Sequence, residues 1–184
     1  MSDATRWIVE ESPVALPEAA VNRHSRLTVA HVTLPDGFKF EQVVMRVRPA
    51  AMCVLVDSEK RALMMRRHRF IPDLWVWEVP GGYVDESEDP AACAAREAEE
   101  ETGWRPGRVE HLASFQPMTG NADALNHVFL GLDPVRVAET VDVNEAESVR
   151  WMPLSEVPTL VGGTVLGAAS VIGLMAAREH LGVR

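Results

Sequence analysis

Polar and apolar positions alternate through much of the first third of the chain. Residues 27–34 (LTVAHVTL) alternate as a strand. Pro35-Asp36-Gly37 then supplies a turn, and residues 38–48 alternate again, which predicts a β-hairpin. Residues 1–20 are weakly patterned. Residues 50–57 form an almost unbroken apolar run, as expected of a buried strand, and residues 61–67 read as its partner after a charged turn. A short strand over 75–80 (WVWEVP) enters Gly81-Gly82. Two glycines there let the backbone bend sharply and come close to a ligand.

The pattern changes after residue 88. Asp89 is a helix-capping residue type, Pro90 is tolerated at the first helical position, and Gly103 is a natural stop. A helix is therefore predicted over 90–102. At about 100° per residue, Glu97, Glu100 and Glu101 fall in one sector. Ala91, Ala94, Ala95, Ala98 and Thr102 line an adjoining face suited to packing on a sheet, and Glu99 points away from both. Further strands are predicted near 109–116, over 127–132 and over 147–152, with a loop over 117–126 and a helical turn at 154–157. Residues 157–177 carry no charge but contain Pro158, Gly162 and Gly163, and read as a loop followed by a packed helix over 164–181. Strands on either side of one acidic helix, with a closing helix, predict an α/β sandwich.

The acidic face is the candidate chemistry. Three carboxylates on one helix face repel each other, by a few tenths of a kcal/mol per pair on an exposed helix. A divalent cation removes that conflict, and oxygen-only ligation selects a hard ion, Mg2+ or Mn2+, over zinc. Arg96 reads as a clamp that orients a neighbouring glutamate. The chain of 184 residues, with 47% hydrophobic and 24% charged residues, fits one domain with its own core. A net charge of -9 and a pI of about 5.1 disfavour nucleic-acid binding. An anionic substrate would then depend on metal ions and local arginines. Cys53 and Cys93 have neither metal-type spacing nor a disulfide framework, which predicts a reduced, cytoplasmic setting. No secretory signal or membrane span is expected.

Gly82, Glu88, Arg96-Glu97, Glu100-Glu101, Gly103 and Trp104 stand at the spacing of the Nudix box, and the segment from 82 to 104 resembles the Nudix hydrolases. That resemblance implies a Nudix-type α/β/α sandwich with a mixed central sheet, and hydrolysis of a nucleoside diphosphate linked to another group. It implies that Glu97 and Glu101 hold one Mg2+ with the Gly81 carbonyl, and that Glu100 shares a second ion. The catalytic set it implies is Glu100, Arg96 and a base on the loop 141–147, Glu145 with Glu147 as the alternative.

Outside the box, Arg66 to Phe70 (RRHRF) and Trp77 to Gly82 (WEVPGG) resemble the ADP-ribose and nucleotide-sugar pyrophosphatases, as does Phe115 to Gly120 (FQPMTG). This branch implies substrate contacts from Arg69, Phe40 and Glu78. It also implies an N-terminal β extension over 1–48 that forms a homodimer, and a catalytic core over 49–184. The chain departs from the branch at Asn121-Ala122-Asp123-Ala124, where a serine-acid-glutamate run is usual. The other readings are a house-cleaning hydrolase of (d)NTPs or dinucleotides, and a non-catalytic Nudix ligand sensor.

Overall fold

The computed structural model describes residues 7–18, 22–138, 147–163 and 166–184. The chain divides into two compact units, Met1–Arg48 with Met118–Leu125, and Pro49–Pro117 with Asn126–Arg184.

The first unit is a four-stranded sheet in the order β1-β2-β3-β10. Strands β2 (Ser25–Thr33) and β3 (Lys39–Val47) form the predicted antiparallel hairpin. Gly37 adopts φ +87° in its turn, where a side chain would be strained. β1 (Ile8–Pro13) lies in the weakly patterned N-terminal segment. All six of its residues are exposed, so no alternation marks it, and main-chain pairing with β2 makes it a strand. Ala122–Asp123, expected as loop, forms the two-residue strand β10 parallel to β3. Arg46 ties the edges together through ion pairs with Glu11 and Asp123.

The second unit carries the acidic helix. Its strands are β4 (Ala50–Leu55), β5 (Arg61–Arg69), β6 (Leu74–Glu78), β7 (Gly81–Tyr83), β8 (Trp104–Arg105), β9 (Arg108–Phe115), β11 (Asn126–Leu132), β12 (Val135–Arg136) and β13 (Ser148–Pro153). The central sheet runs β7-β4-β11-β9 and is mixed, because β4 and β11 are parallel while both outer pairs are antiparallel. A second sheet runs β13-β5-β6.

Alternation along β4 builds a core on each face. Ala51, Cys53 and Leu55 pack with Cys93, Ala94 and Ala98 of helix α1 (Pro90–Thr102). Met52 and Val54 pack with Leu174 and Ala177 of the last helix. The unit is the α/β/α sandwich expected.

Val157–Gly163 is a helix, α2, where a loop was expected. Pro158 lies in its first turn, where a missing N–H costs nothing, and the two glycines lie at its end. The last helix, α3, is Ala168–His180. Its expected start at Thr164 lies outside the described residues. No described helix is long and apolar enough to cross a membrane.

Candidate active site

The short strand β7 sets the floor of the site. Gly82 and Gly81 pair with Ala51 and Met52 of β4. A Cβ on Gly81 would lie 2.6 Å from the Ala51 carbonyl oxygen, and one on Gly82 would lie 2.6 Å from Glu97 Oε2. Backbone atoms exclude a side chain at Gly81, whereas at Gly82 a side chain would displace the Glu97 carboxylate, which lies directly against the strand. Helix α1 begins where the sequence places it. The Asp89 carboxylate accepts hydrogen bonds from the N–H groups of Ala91 and Ala92, Pro90 opens the helix, and Gly103 closes it at φ +74°.

Arg96 organises three of the carboxylates. Its Nε and Nη2 donate to the two oxygens of Glu88 at 2.9 and 3.1 Å. Its Nη1 donates to Glu97 Oε1 at 2.8 Å and to Glu100 Oε2 at 3.0 Å. These contacts divide the acids electrostatically. Hydrogen bonds from Arg96, then from the Asp85 N–H, hold the Glu88 carboxyl down at about 2. Glu97 is shifted the other way: its burial outweighs its bond to Arg96 and raises its pKa above the ordinary carboxylate value. The Arg96 guanidinium is held still more firmly protonated, first by Glu88.

Glu101 is held separately. It is 6% exposed, with Oε1 accepting from Arg67 Nη1 at 3.0 Å and Oε2 accepting from the Gly81 N–H at 2.8 Å. The three glutamates predicted on one helical sector therefore have two sets of partners, with Glu97 and Glu100 on Arg96 and Glu101 on β5 and β7. Arg67 was not among the expected site residues. The signal for it was strand alternation, which puts Arg67 on the same face of β5 as Arg69. Glu88, eight residues before Arg96, was likewise counted in the box without a site role.

The structure brings Arg69 and Glu78 together, with Arg69 Nε and Nη2 donating to Glu78 Oε2 at 2.9 and 2.6 Å. Phe40 stands on β3 in the N-terminal unit, beside Phe38, with ring centroids 6.2 Å apart. Glu145 lies outside the described residues. Glu147, the alternative base, pairs with Arg66, which stacks on Trp75 with its guanidinium carbon 4.7 Å from the ring centroid. Alternation sets Arg66 on the face of β5 opposite Arg67.

Among the described residues, no three acidic, histidine or cysteine side chains converge on one point in a metal-ligand arrangement. The local chemistry nevertheless fits a hard cation. The donors are carboxylate oxygens, and the nearby Cys93 thiol, pushed up to about 12 by burial, stays protonated. Arg96 offsets only part of the burial penalty on Glu97, and a bound cation would relieve the rest.

The NUDIX domain family model matches residues 46–170, more than half of the chain. A CMP-5'-(N-acetyl-N-hydroxy-3-aminopropyl)phosphonate hydrolase from Streptomyces rubellomurinus is 45% identical over 168 residues, covering 88% of this chain and 82% of the relative. An ADP-ribose pyrophosphatase from Bacillus subtilis is 29% identical over 148 residues, covering 80% of each. A solved structure of an ADP compounds hydrolase superposes with a TM-score of 0.81 at 19% identity, covering 98% of this chain and 97% of that one. By its domain match, its fold and its relatives, the chain belongs to the Nudix hydrolase family.

Proposed function

We propose that this hydrolase cleaves the P–O–P bridge of a nucleoside diphosphate derivative, ADP-ribose or a nucleotide sugar, and releases a nucleoside monophosphate and a sugar phosphate. The observation that carries the reading is the clamp of Arg96 on Glu88, Glu97 and Glu100, set against the glycine strand. Nudix hydrolases generally use divalent metal ions. Glu97, Glu100 and Glu101, with the Gly81 carbonyl, are the groups proposed to hold Mg2+, with Mn2+ as a substitute. The ions would neutralise the diphosphate and acidify a bound water.

The chain's own contribution is positioning. Arg96 keeps Glu97 and Glu100 from splaying apart, and Glu88 anchors Arg96. Arg69, half exposed and steadied by Glu78, offers a guanidinium to phosphate oxygens. Glu145, with Glu147 as the alternative, is the proposed base. The N-terminal unit is the proposed dimerisation element, supported by its exposed Val9, Val43 and Met45.

A second substrate reading is favoured by the 45% identity to the hydrolase named for a CMP-linked phosphonate. Such a compound also joins a nucleoside monophosphate to a second phosphorus acid, so the same site chemistry applies.

Product analysis separates the readings. Purified protein with Mg2+ is offered ADP-ribose, nucleotide sugars, a CMP-linked phosphonate and dNTPs, with Glu100→Gln as control. AMP and ribose 5-phosphate from ADP-ribose, lost in the variant, is the expected result. CMP released from the phosphonate alone establishes the second reading. Turnover of dNTPs alone, or silence across all substrates with Mg2+ and Mn2+, overturns both.

A further inference from the structure

Arg67 and Glu101 form a buried ion pair, with side chains only 14% and 7% exposed. The pair connects elements of different sheets. Arg67 belongs to β5 in the three-stranded sheet, Gly81 to β7 in the four-stranded sheet, and Glu101 to the last turn of α1. Both oxygens of Glu101 are gripped, one by a guanidinium and one by a main-chain N–H. A carboxylate held at both oxygens cannot rotate, so its remaining lone pairs keep fixed directions. Gly81 is itself tied into the sheet, paired with Met52 of β4.

We propose that Arg67 is the positioning residue for Glu101, fixing the carboxylate in the orientation that the metal site uses. The inference rests on the functional reading above, in which Glu101 is a metal ligand. Arg67 acts through Glu101. Arg67 reaches Glu101 Oε1 through Nη1 of a rigid, planar guanidinium, and a lysine keeps the charge without that rigid donor. Removing a cation from the neighbourhood would by itself tighten the binding of a divalent ion. Positioning predicts the opposite sign, which makes the two effects separable.

The test is Mn2+ binding to metal-stripped protein, followed by electron paramagnetic resonance in wild type, Arg67→Gln, Arg67→Lys, Glu101→Gln and the double variant R67Q/E101Q. Arg67→Gln is expected to weaken Mn2+ binding about tenfold, the scale of losing a partner that orients a ligand, and Arg67→Lys to weaken it less. The double variant is expected to bind no more weakly than Glu101→Gln alone, because one residue acts through the other. In turnover, kcat is expected to fall while KM holds. Unchanged or tighter Mn2+ binding in Arg67→Gln overturns the proposal, as do losses that multiply in the double variant. If circular dichroism shows Arg67→Gln unfolded, Arg67→Lys carries the comparison, and wild-type affinity there overturns it. Glu97→Gln and Glu100→Gln run in the same assay. Wild-type Mn2+ binding in both removes the metal reading itself, whereas their loss beside an unaffected Arg67→Gln removes only the positioning role.

Discussion

Glu88 and Glu97 lie on the same arginine, yet the fold treats them in opposite ways. The Glu88 carboxyl is depressed to about 2, so its ion pair stabilises the fold above the pKa of an unfolded glutamate, near 4.3. That contribution is lost as pH falls from there through about 2. The Glu97 carboxyl is raised by burial, so the fold favours its neutral form, and the stability it contributes at low pH is lost as pH rises through its shifted value. Glu97→Gln should therefore raise the thermal midpoint of metal-free protein at pH 7 while abolishing Mn2+ binding. A calorimetric scan in EDTA with a parallel metal titration checks both, and a lower midpoint would contradict the burial argument. Glu88→Gln should instead lower the midpoint at pH 7, with the difference from wild type vanishing towards pH 2. At this scale the sequence placed Arg96 and the box glutamates by spacing alone, because helical geometry converts spacing into direction. It did not show Arg67, whose partner is 34 residues away.

Helix α1 was legible because its ends are chemical. An Asp-Pro start and a glycine stop mark both boundaries, and the structure places them at the expected residues. Gly103 is also crowded: a Cβ there would lie 2.6 Å from the Ala138 carbonyl oxygen. Gly103→Ala should cost at least about 1–2 kcal/mol from the left-handed conformation alone. Urea titration checks this, and a loss below a few tenths of a kcal/mol would show that the cap relaxes. Asp89→Ala should cost about 1 kcal/mol by removing the hydrogen bonds to Ala91 and Ala92. The elements missed have no such ends. Strand β1 has no buried face to impose alternation, and α2 carries the proline and glycines that usually argue for a loop. Pairing and packing decide those segments, and periodicity does not report them.

At the scale of the second unit, one strand divides the core. The odd positions of β4 face the apolar side of α1, and the even positions face α3. Gly173 lets α3 approach closely, since a Cβ there would meet Val54 Cγ2 at 2.8 Å and Val128 Cγ1 at 2.9 Å. Gly173→Val should overpack this contact and destabilise the protein by about 1–3 kcal/mol. The site should survive under native conditions, because α1 lies on the other face. Denaturant midpoints with Mn2+ titration test this, and lost metal binding with unchanged stability would show that the two faces are coupled. By itself, the sequence determined the β2–β3 hairpin, the buried strand β4, the capped acidic helix, and an arginine set among glutamates, because these follow from local periodicity and short-range geometry. Only the tertiary structure decided that Glu101 leaves its helical neighbours for Arg67 and Gly81, that Arg69 and Glu78 meet, and that Ile8–Pro13 pairs with β2. Those contacts join residues distant in the chain, and burial and pairing across the fold select them.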